Sequence, residues 1–406
     1  MAATNTLEQP SGLMSRFIGR PSPATVAVGL VTLAFYLQQG RLSQTVKALH
    51  DKYGTIIRIA PDELSFTEGS AWKDICQPKP GHGPFDKWTI YLNPSVNGAY
   101  SILTSPTRQG HARIKRQLNH GFSDRALQAQ EAFGESFRCL DDGKDHRWIS
   151  ILIRQFKAVV TITSLRFFTV PRKLFQWYMP KKIMERPREI HKYAVKRVDK
   201  RLSRDTERPD FVSTRHYQLL FIAGGETTAA FLSGITFYLV QYPEVLGKLE
   251  REIRTAFKSE DEINAISTNK LVYFNACVKE GLRLTPAVPF GHPRVVPPGG
   301  DEVCGQRLPG GTKLSLMAWA MYRSERSFKH ADTFGPERWV SWNGYDDQSA
   351  FEPFSLGARN CIGKNLALVE LKIILARTIF NFNLSLPEGK KEMGWESTDS
   401  SLNKPS

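Results

Sequence analysis

The segment FSLGARNCIG, residues 354–363, decides how the rest of the sequence is interpreted. Its fixed positions follow the pattern Phe-x-x-Gly-x-Arg-x-Cys-x-Gly and are Phe354, Gly357, Arg359, Cys361 and Gly363. The glycines let a loop turn tightly and approach a flat cofactor, and the arginine suits a carboxylate. A cysteine just before a helix is stabilised as a thiolate by free backbone N–H groups and the helix dipole. The combination favours a cofactor-binding thiolate over a buried structural cysteine.

An apolar run over residues 219–240 contains a second informative segment, AGGETT at residues 223–228. A transmembrane helix and a helix through the centre of a large domain both explain this run. A carboxylate at mid-bilayer costs about 2.5–3.5 kcal/mol, which weighs against the membrane. In a helix buried within protein, Glu226 would be a buried acid, and such acids often have a functional reason.

Two further segments lie between the apolar run and the cysteine. Glu280 and Arg283 are three residues apart in a helical pattern over residues 271–284, so they share a helix face and can pair. The sequence PERW, residues 336–339, adds Arg338. Each motif alone is weak because surface helices contain many such pairs. Their order along the chain gives them weight.

Together, the four segments resemble the cytochrome P450 family. The resemblance implies a mainly α fold with small β-sheets, the cytochrome P450 fold, and haem b (iron-protoporphyrin IX) as the cofactor. Cys361 would be the axial ligand of the haem iron. The surrounding haem loop would be shaped by Phe354, Gly357, Arg359 and Gly363.

The resemblance also assigns roles near the haem. Glu280, Arg283 and Arg338 would form a buried structural triad that supports the haem loop. Arg294 would contact a haem propionate, and so would Lys115, from a helix that begins near His111. Lysine can bind a carboxylate there without the fork of an arginine.

The AGGETT segment would lie over the face of the haem where oxygen binds. Thr227 would hydrogen-bond the oxygen substrate, and Glu226 would relay protons toward it as a general acid. For Thr228 we expect only a hydrogen bond to its own helix backbone. The small residues before Glu226 would leave space for oxygen.

The resemblance implies an enzyme, a cytochrome P450 monooxygenase. It would take electrons from NADPH-cytochrome P450 reductase and insert one oxygen atom from O2 into an apolar small molecule. Segments including residues 320–326 and 353–367 resemble fungal enzymes of secondary metabolism, whose substrates are molecules such as terpenoids and polyketides. A membrane association is expected as well.

The chain departs from the family pattern in ways that indicate internal deletions. No Pro-Gly-Pro hinge lies between Tyr36 and Arg41, and a helix expected near Glu131 is missing. The approach to the apolar run is abbreviated after Val212, and the polar tail after Leu386 lacks the expected final strands. The alternative is therefore a vestigial or non-catalytic haem-binding protein, a truncated cytochrome P450.

The composition fits a globular protein of one large or two ordinary domains, with 406 residues, 41% hydrophobic and 23% charged. The net charge of +15 favours anionic partners, such as a membrane surface or an acidic reductase. No basic stripe is interleaved with aromatic residues, so we expect no nucleic-acid partner. The five cysteines are widely spaced without a CxxC motif, which is typical of a reducing compartment.

Residues 24–37 are the most apolar stretch near the N-terminus, although a spanning helix needs about 20 residues. A membrane anchor, a signal peptide and a buried helix all remain open. The chain therefore divides into residues 1–40, a segment with a possible anchor, and residues 41–406, the haem-thiolate domain. An anchor would hold the protein at the endoplasmic reticulum, with its catalytic domain in the cytosol.

The remaining pattern predicts helices with a few short strands, not alternating βαβ units. The helices are expected over residues 43–53, 111–131, 172–204, 243–257 and 271–284, and from Gly363 to about 380. Strands are expected over residues 55–60 and 63–66, with short strands and turns over residues 287–312 and a loop over residues 77–110.

Overall fold

The computed structural model describes residues 41–89, 100–119, 217–290, 293–341 and 344–386, together with Leu92 and Gly98. Several predictions lie outside the described residues: the apolar stretch at residues 24–37, the helix over residues 172–204, the helical pattern beyond Asn119, and the tail. The described part is mainly α-helical with small β-sheets, so the predicted fold class is confirmed.

The helices of the described residues mostly begin and end close to their predicted positions. They are α1 (Leu42–Tyr53), α2 (Ser70–Cys76), α3 (Arg108–Asn119), α4 (Tyr217–Gln241), α5 (Pro243–Ala256), α6 (Ala265–Asn269), α7 (Val272–Leu284), α8 (Ala318–Tyr322) and α9 (Lys364–Asn381). Short 3-10 turns cover Glu260–Glu262, Pro336–Trp339, Gln348–Ala350 and Gly357–Arg359. The sequence patterns did not predict the short helices α2, α6 and α8.

The strands of the described residues form a five-stranded sheet and a separate hairpin. They are β1 (Ile56–Ala60), β2 (Glu63–Phe66), β3 (Asp86–Lys87), β4 (Arg294–Val295), β5 (Asp301–Val303), β6 (Gln306–Leu308) and β7 (Lys313–Leu316). The sheet order is β1-β2-β7-β4-β3, with β2 and β7 parallel and the other neighbours antiparallel. The hairpin pairs β5 with β6. This topology brings β3, from the predicted loop over residues 77–110, next to β4.

The largest core packs α4 and α9 against α5 and α7. Helix α4 contributes Phe231, Ile235 and Leu239, which recur every four residues and therefore share one face. Helix α9 contributes Leu371, Leu375, Ala376 and Ile379 to the same core. Burying each large apolar side chain contributes about 1.5–3 kcal/mol, so α4 is held as a core helix of the domain.

A glycine sets the close approach of α7 to α4. A Cβ atom at Gly281 would lie 2.9 Å from the Ile235 Cδ1 atom and 3.0 Å from the Phe231 ring. This contact places the Glu280–Arg283 turn of α7 beside the core. Within the described residues, no helix combines the length and apolarity that a membrane crossing requires.

Candidate functional site

The cysteine loop folds back on itself just before α9. The Cys361 N–H donates to the Phe354 carbonyl oxygen over 2.8 Å, and the Asn360 N–H donates to the Gly357 carbonyl oxygen over 3.1 Å. Helix α9 starts at Lys364, directly after Gly363. Cys361 therefore precedes a helix, as its sequence context indicated.

Gly357 can only be a glycine in this loop. Its φ angle is +78°, in the left-handed region that disfavours other residues. A Cβ atom there would also lie 2.0 Å from the Cys76 carbonyl oxygen at the end of α2. The haem loop thus sits directly on the backbone of α2, a contact that sequence patterns did not indicate.

Cys361 is the most solvent-exposed of the four cysteines in the described part of the chain, which are all free thiols. Surrounding protein desolvates its thiol and raises its pKa, while the Gly363 N–H, Lys115 and Lys364 act in the opposite direction. A metal cation displaces the proton from a coordinating thiol. An accessible thiol with backbone and cationic groups that favour its thiolate suits an iron ligand.

Arg294 and Arg359 present unsatisfied, buried guanidinium nitrogens beside this loop. The Arg294 side chain is only 5% exposed, and its NH1 atom has no hydrogen-bond partner among the described residues. Arg359 donates through NH1 to the Ser105 carbonyl oxygen, but its buried NH2 atom also lacks a described partner. Burial, and then the neighbouring Arg294, lowers the pKa of Arg359.

A buried N–H group without a hydrogen-bond partner destabilises the protein, so we expect a ligand to provide acceptors for Arg294 NH1 and Arg359 NH2. Two carboxylates would satisfy them, and haem carries two propionates. The residues present therefore fit haem: an exposed cysteine before a helix, the buried Arg294, and Arg359 of the same loop with one buried nitrogen. The positive charge of Arg294 and Arg359 indicates that an anionic group binds to these two side chains, where the resemblance implies that the haem lies.

Lys87 on β3 joins the two arginines, and we call Lys87, Arg294 and Arg359 the cation cluster. Its side chain is buried, and its Nζ atom donates to the Leu103 carbonyl oxygen over 2.9 Å. Burial, followed by Arg294 and Arg359, lowers the pKa of Lys87 to about 7. Sequence analysis missed Lys87, because only the pairing of β3 with β4 brings it to the site.

Lys115, on α3, is engaged with the haem loop itself. Its Nζ atom donates to the Ala358 carbonyl oxygen over 3.0 Å and to the Asn360 Oδ1 atom over 2.8 Å. Its contact with a propionate stays a prediction. His111, one turn earlier, is buried, and burial together with the surrounding cations lowers its pKa to about 4.

Glu280, Arg283 and Arg338 come together in the structure. The Arg283 Nε and NH2 atoms donate to the two Glu280 carboxylate oxygens over 2.9 and 2.7 Å. Arg338 Nε donates to Glu280 Oε1 over 3.2 Å. Glu280 and Arg283 are fully buried. A bidentate pair of this kind is both strong and geometrically specific.

Two further residues contact this group: Asp346, which lies outside the sequence motifs, and Trp339, the last residue of the PERW segment. Arg338 NH1 donates to Asp346 Oδ2 over 2.8 Å, and the Trp339 indole N–H donates to Glu280 Oε2 over 2.8 Å. Two acids therefore face two arginines, and we call Glu280, Arg283, Arg338 and Asp346 the balanced cluster. Removing one partner of a buried pair is far costlier than the pair is worth, so all four act as a unit.

Aromatic side chains connect the balanced cluster to the haem loop. The Trp339 and Phe351 ring centroids are 4.7 Å apart, and Tyr322 and Phe351 are 5.4 Å apart. The Glu352 N–H donates to the Tyr322 hydroxyl over 3.0 Å. The backbone that leads into Phe354 is thus held by Tyr322 and by Trp339, and Trp339 also donates to Glu280 of the balanced cluster.

Helix α4 carries the AGGETT segment, with open space at its glycines. A Cβ atom built on Gly224 or Gly225 would meet no atom of the described residues within 4 Å. Glu226 lies half-buried, and burial raises the pKa of its carboxyl. The raised pKa favours the protonated form of this carboxyl, which can donate a proton.

The hydroxyls of the two threonines in this segment make different contacts, and the expected contact of Thr227 with oxygen stays a prediction. Thr227 Oγ1 donates to the Ala223 carbonyl oxygen over 2.6 Å, the backbone hydrogen bond that helical threonines commonly make. Thr228 is buried, and its Oγ1 atom has no described partner, so the expected backbone bond of Thr228 is wrong. The Thr227 hydroxyl oxygen retains lone pairs that can accept a further hydrogen bond.

Comparison with known proteins gives an independent line of evidence. The chain matches the sequence model of the cytochrome P450 family over residues 214–406. A cytochrome P450 monooxygenase of Aspergillus oryzae, aclL, is 33% identical, with 92% of this chain and 88% of the relative aligned. The monooxygenase efuB of Hormonema carpetanum is 32% identical over 92% of this chain and 86% of the relative. An averantin hydroxylase of Dothistroma septosporum is 32% identical over 91% of this chain and 81% of the relative.

The same alignments bear on the missing segments. The alignment with aclL runs over 436 positions, which is more than the 406 residues of this chain. Segments of the relative therefore have no counterpart here, in keeping with the predicted internal deletions. The matched relatives are monooxygenases and a hydroxylase, and they give no support to a non-catalytic haem-binding protein.

The motifs, the fold and the relatives agree on one family. Its members work with a haem-iron cofactor, a redox partner that supplies electrons, O2 and an organic substrate. The chain therefore belongs to the cytochrome P450 family and is a haem-iron monooxygenase of the fungal secondary-metabolism type.

Proposed function

We propose that the chain binds haem b through Cys361 and inserts one oxygen atom from O2 into an apolar small molecule during secondary-metabolite biosynthesis. The proposal is supported by the exposed Cys361 thiol, together with one buried guanidinium nitrogen on each of Arg294 and Arg359 that has no partner among the described residues. When bound, the haem supplies the activation of O2. The protein residues hold the cofactor, shape the loop and manage protons.

The haem loop has a holding role in this proposal. The Gly363 N–H favours the Cys361 thiolate, and a hydrogen bond to such a sulfur tunes its strength as a ligand. Phe354 accepts the Cys361 N–H and so fixes the cysteine backbone. The balanced cluster acts at a distance, by positioning the backbone that leads into this loop.

Glu226 and Thr227 have a proton-handling role. Burial raises the pKa of the half-buried Glu226 carboxyl, and this carboxyl is the group that would pass a proton toward Thr227. The Thr227 hydroxyl can turn from the Ala223 carbonyl oxygen and donate into the open space beside Gly224 and Gly225. After the Thr227 hydroxyl has donated its proton, Glu226 would supply the proton that replaces it.

The further assignments extend to partners and location. We propose NADPH-cytochrome P450 reductase as the electron donor, whose acidic surface a chain of net charge +15 would attract.

Residues 1–40 would associate the protein with the endoplasmic reticulum membrane, leaving residues 41–406 as the catalytic domain in the cytosol. Deleting residues 1–40 should move the protein from the membrane pellet to the supernatant; an unchanged distribution would contradict the anchor.

The activity is tested with isotopic oxygen. The haem-loaded chain, with a reductase and NADPH, is screened against terpenoids and polyketides, and products are analysed after reaction under 18O2. The proposal expects one labelled oxygen atom per product molecule and no product without NADPH. Product oxygen derived from water, or turnover without O2, would contradict it.

Glu226→Gln should lower turnover while leaving haem content unchanged.

A further inference from the structure

Cys76 is a buried cysteine at the end of α2, directly behind the haem loop. Its residue is only 5% exposed, and its carbonyl oxygen is the atom that a Cβ atom at Gly357 would meet at 2.0 Å. The sequence motifs give this cysteine no role, and neither does the proposed function. Its backbone seats the haem loop, so the position of its thiol in the same site needs its own explanation.

The Cys76 thiol makes hydrogen-bonding contacts with two side chains of the site, the Arg294 guanidinium and the Ser355 hydroxyl. Burial raises the pKa of the thiol, while Arg294 and Ser355 act in the opposite direction. The raised pKa favours the neutral thiol, whose sulfur is a weak acceptor and whose S–H is a weak donor. The sulfur is therefore a neutral partner that lies between a cation and a hydroxyl.

The Arg294 guanidinium has Cys76 as its buried neighbour. Burial lowers the pKa of Arg294, while Cys76 and then Asp86 act in the opposite direction. Asp86 is exposed, and its carboxylate accepts from Arg108 over 3.2 Å. The NH1 atom of Arg294 has no partner among the described residues. The thiol thus contacts a guanidinium group that still has a buried donor to offer.

Ser355 holds the sulfur from the side of the haem loop. Its φ angle is +60°, in the left-handed region that residues other than glycine rarely adopt. The Ser355 N–H donates to the Glu352 carbonyl oxygen over 3.0 Å, which fixes this turn. The turn places the hydroxyl beside Cys76, so the loop itself keeps the sulfur against the guanidinium of Arg294.

We propose that Cys76 is a positioning residue of the haem site, whose thiol orients the Arg294 guanidinium before the cofactor binds. An arginine side chain loses much rotamer freedom when it is ordered, and a side chain that is ordered in advance binds its ligand more firmly. The inference rests on the proposed function, because it takes haem as the cofactor. Cys76 acts on haem retention through Arg294 and has no contact with haem in this account.

The experiment measures haem transfer from the holoprotein to an excess of a haem-scavenging protein. Cys76→Ala should release haem about fivefold faster than the wild type, as expected for the loss of one hydrogen bond. Cys76→Ser should stay within about twofold of the wild type, because a hydroxyl oxygen also accepts from Arg294. Equal release from Cys76→Ala and Cys76→Ser would overturn the proposal.

A double-mutant cycle separates positioning from packing. In a chain that already carries Arg294→Met, the further change Cys76→Ala should alter the release rate by less than about twofold, because two residues that act through one contact are not additive. Fully additive effects would mean that Cys76 acts without Arg294, and they would also overturn the proposal.

Cys277→Ala is the matched control. Cys277 is a fully buried cysteine in the core between α4 and α7, and its substitution removes the same sulfur atom away from the haem loop. Thermal unfolding should show a loss of stability in both alanine variants, whereas only Cys76→Ala should accelerate haem release. Equal acceleration by Cys277→Ala would show that general loosening of the core explains the result.

Failure of this inference is distinguishable from failure of the proposed function. If only the inference fails, the reduced carbon monoxide complex of the wild type still has the thiolate spectrum. If the proposed function fails, that spectrum is absent from the wild type.

Discussion

The balanced cluster supports the haem loop from a distance and the cation cluster includes an arginine of that loop, and the two clusters differ in charge. The balanced cluster pairs two acids with two arginines and satisfies them with short hydrogen bonds. The cation cluster has three basic side chains and two guanidinium nitrogens without a described partner, and the acid that acts on its arginines, Asp86, is exposed and bonded to Arg108. A buried cluster that is complete within the chain supports the fold, whereas an incomplete one indicates a ligand of the opposite charge.

The largest expected effect comes from breaking the balanced cluster. Glu280→Gln would leave two arginines close together without their shared carboxylate, so we expect a loss of about 3–5 kcal/mol in the free energy of unfolding. Thermal unfolding and the yield of folded protein measure it. Glu250→Gln is the control, because Glu250 forms only a loose surface pair with Arg254, and its loss should stay within about 0.5 kcal/mol. Equal losses of stability in the two variants would contradict the expected difference between the buried balanced cluster and a surface ion pair.

The next effect tests the contact that seats the haem loop. Gly357→Ala combines a left-handed φ with a Cβ atom 2.0 Å from the Cys76 carbonyl oxygen, and we expect about 2–4 kcal/mol of destabilisation. Gly305→Ala has a similar φ of +72° but open space around its Cβ, so about 1–2 kcal/mol is expected. Chemical unfolding measures both, and equal losses would mean that the contact with α2 is unimportant.

A smaller effect, on the cofactor and not the fold, is expected at the cation cluster. Arg294→Met should weaken haem retention about 10- to 100-fold, because a hydrogen bond to a charged group contributes about 1.5–3 kcal/mol. Haem transfer to a scavenging protein measures the change. The exposed Arg108, which contacts Asp86 and the Pro84 carbonyl oxygen, provides the control Arg108→Met with unchanged retention. Unfolding of Arg294→Met as severe as that of Glu280→Gln would contradict the comparison.

The smallest effect concerns acid stability. Burial and the surrounding cations lower the pKa of His111 to about 4, below the ordinary value of 6.5. Between these pH values the unfolded chain binds a proton that the folded chain does not, so stability falls as the pH falls from about 6.5 to 4. His111→Gln should reduce this fall by about 1–3 kcal/mol in urea unfolding at several pH values. Identical pH profiles for wild type and variant would contradict the assignment.

The elements that sequence could predict are those with a local pattern. The haem loop needs its glycines and its cysteine within ten residues, and the Glu280–Arg283 pair shares one turn of a helix, so short-range spacing identifies both. The long helices also follow from local periodicity, since α4, α7 and α9 lie within three residues of their predicted bounds.

The parts that sequence could not predict depend on distant pairings. Lys87 reaches the site because β3 pairs with β4, more than two hundred residues later in the chain. Asp346 completes the balanced cluster, and Trp339 donates to Glu280, through conformations that have no periodic signal in the sequence. Thr227 and Thr228 are adjacent threonines of one helix, so the sequence cannot distinguish the contacts of their hydroxyls, which depend on burial and neighbouring groups.

The most direct test of the account is the reduced carbon monoxide difference spectrum of the haem-loaded chain. We predict a Soret band red-shifted to the thiolate position, lost in Cys361→Ala and retained in Cys277→Ala, which removes a buried thiol away from the loop. A band at the ordinary histidine-haem position would contradict a thiolate ligand. A thiolate band that survives Cys361→Ala would contradict the assignment of Cys361 as the iron ligand.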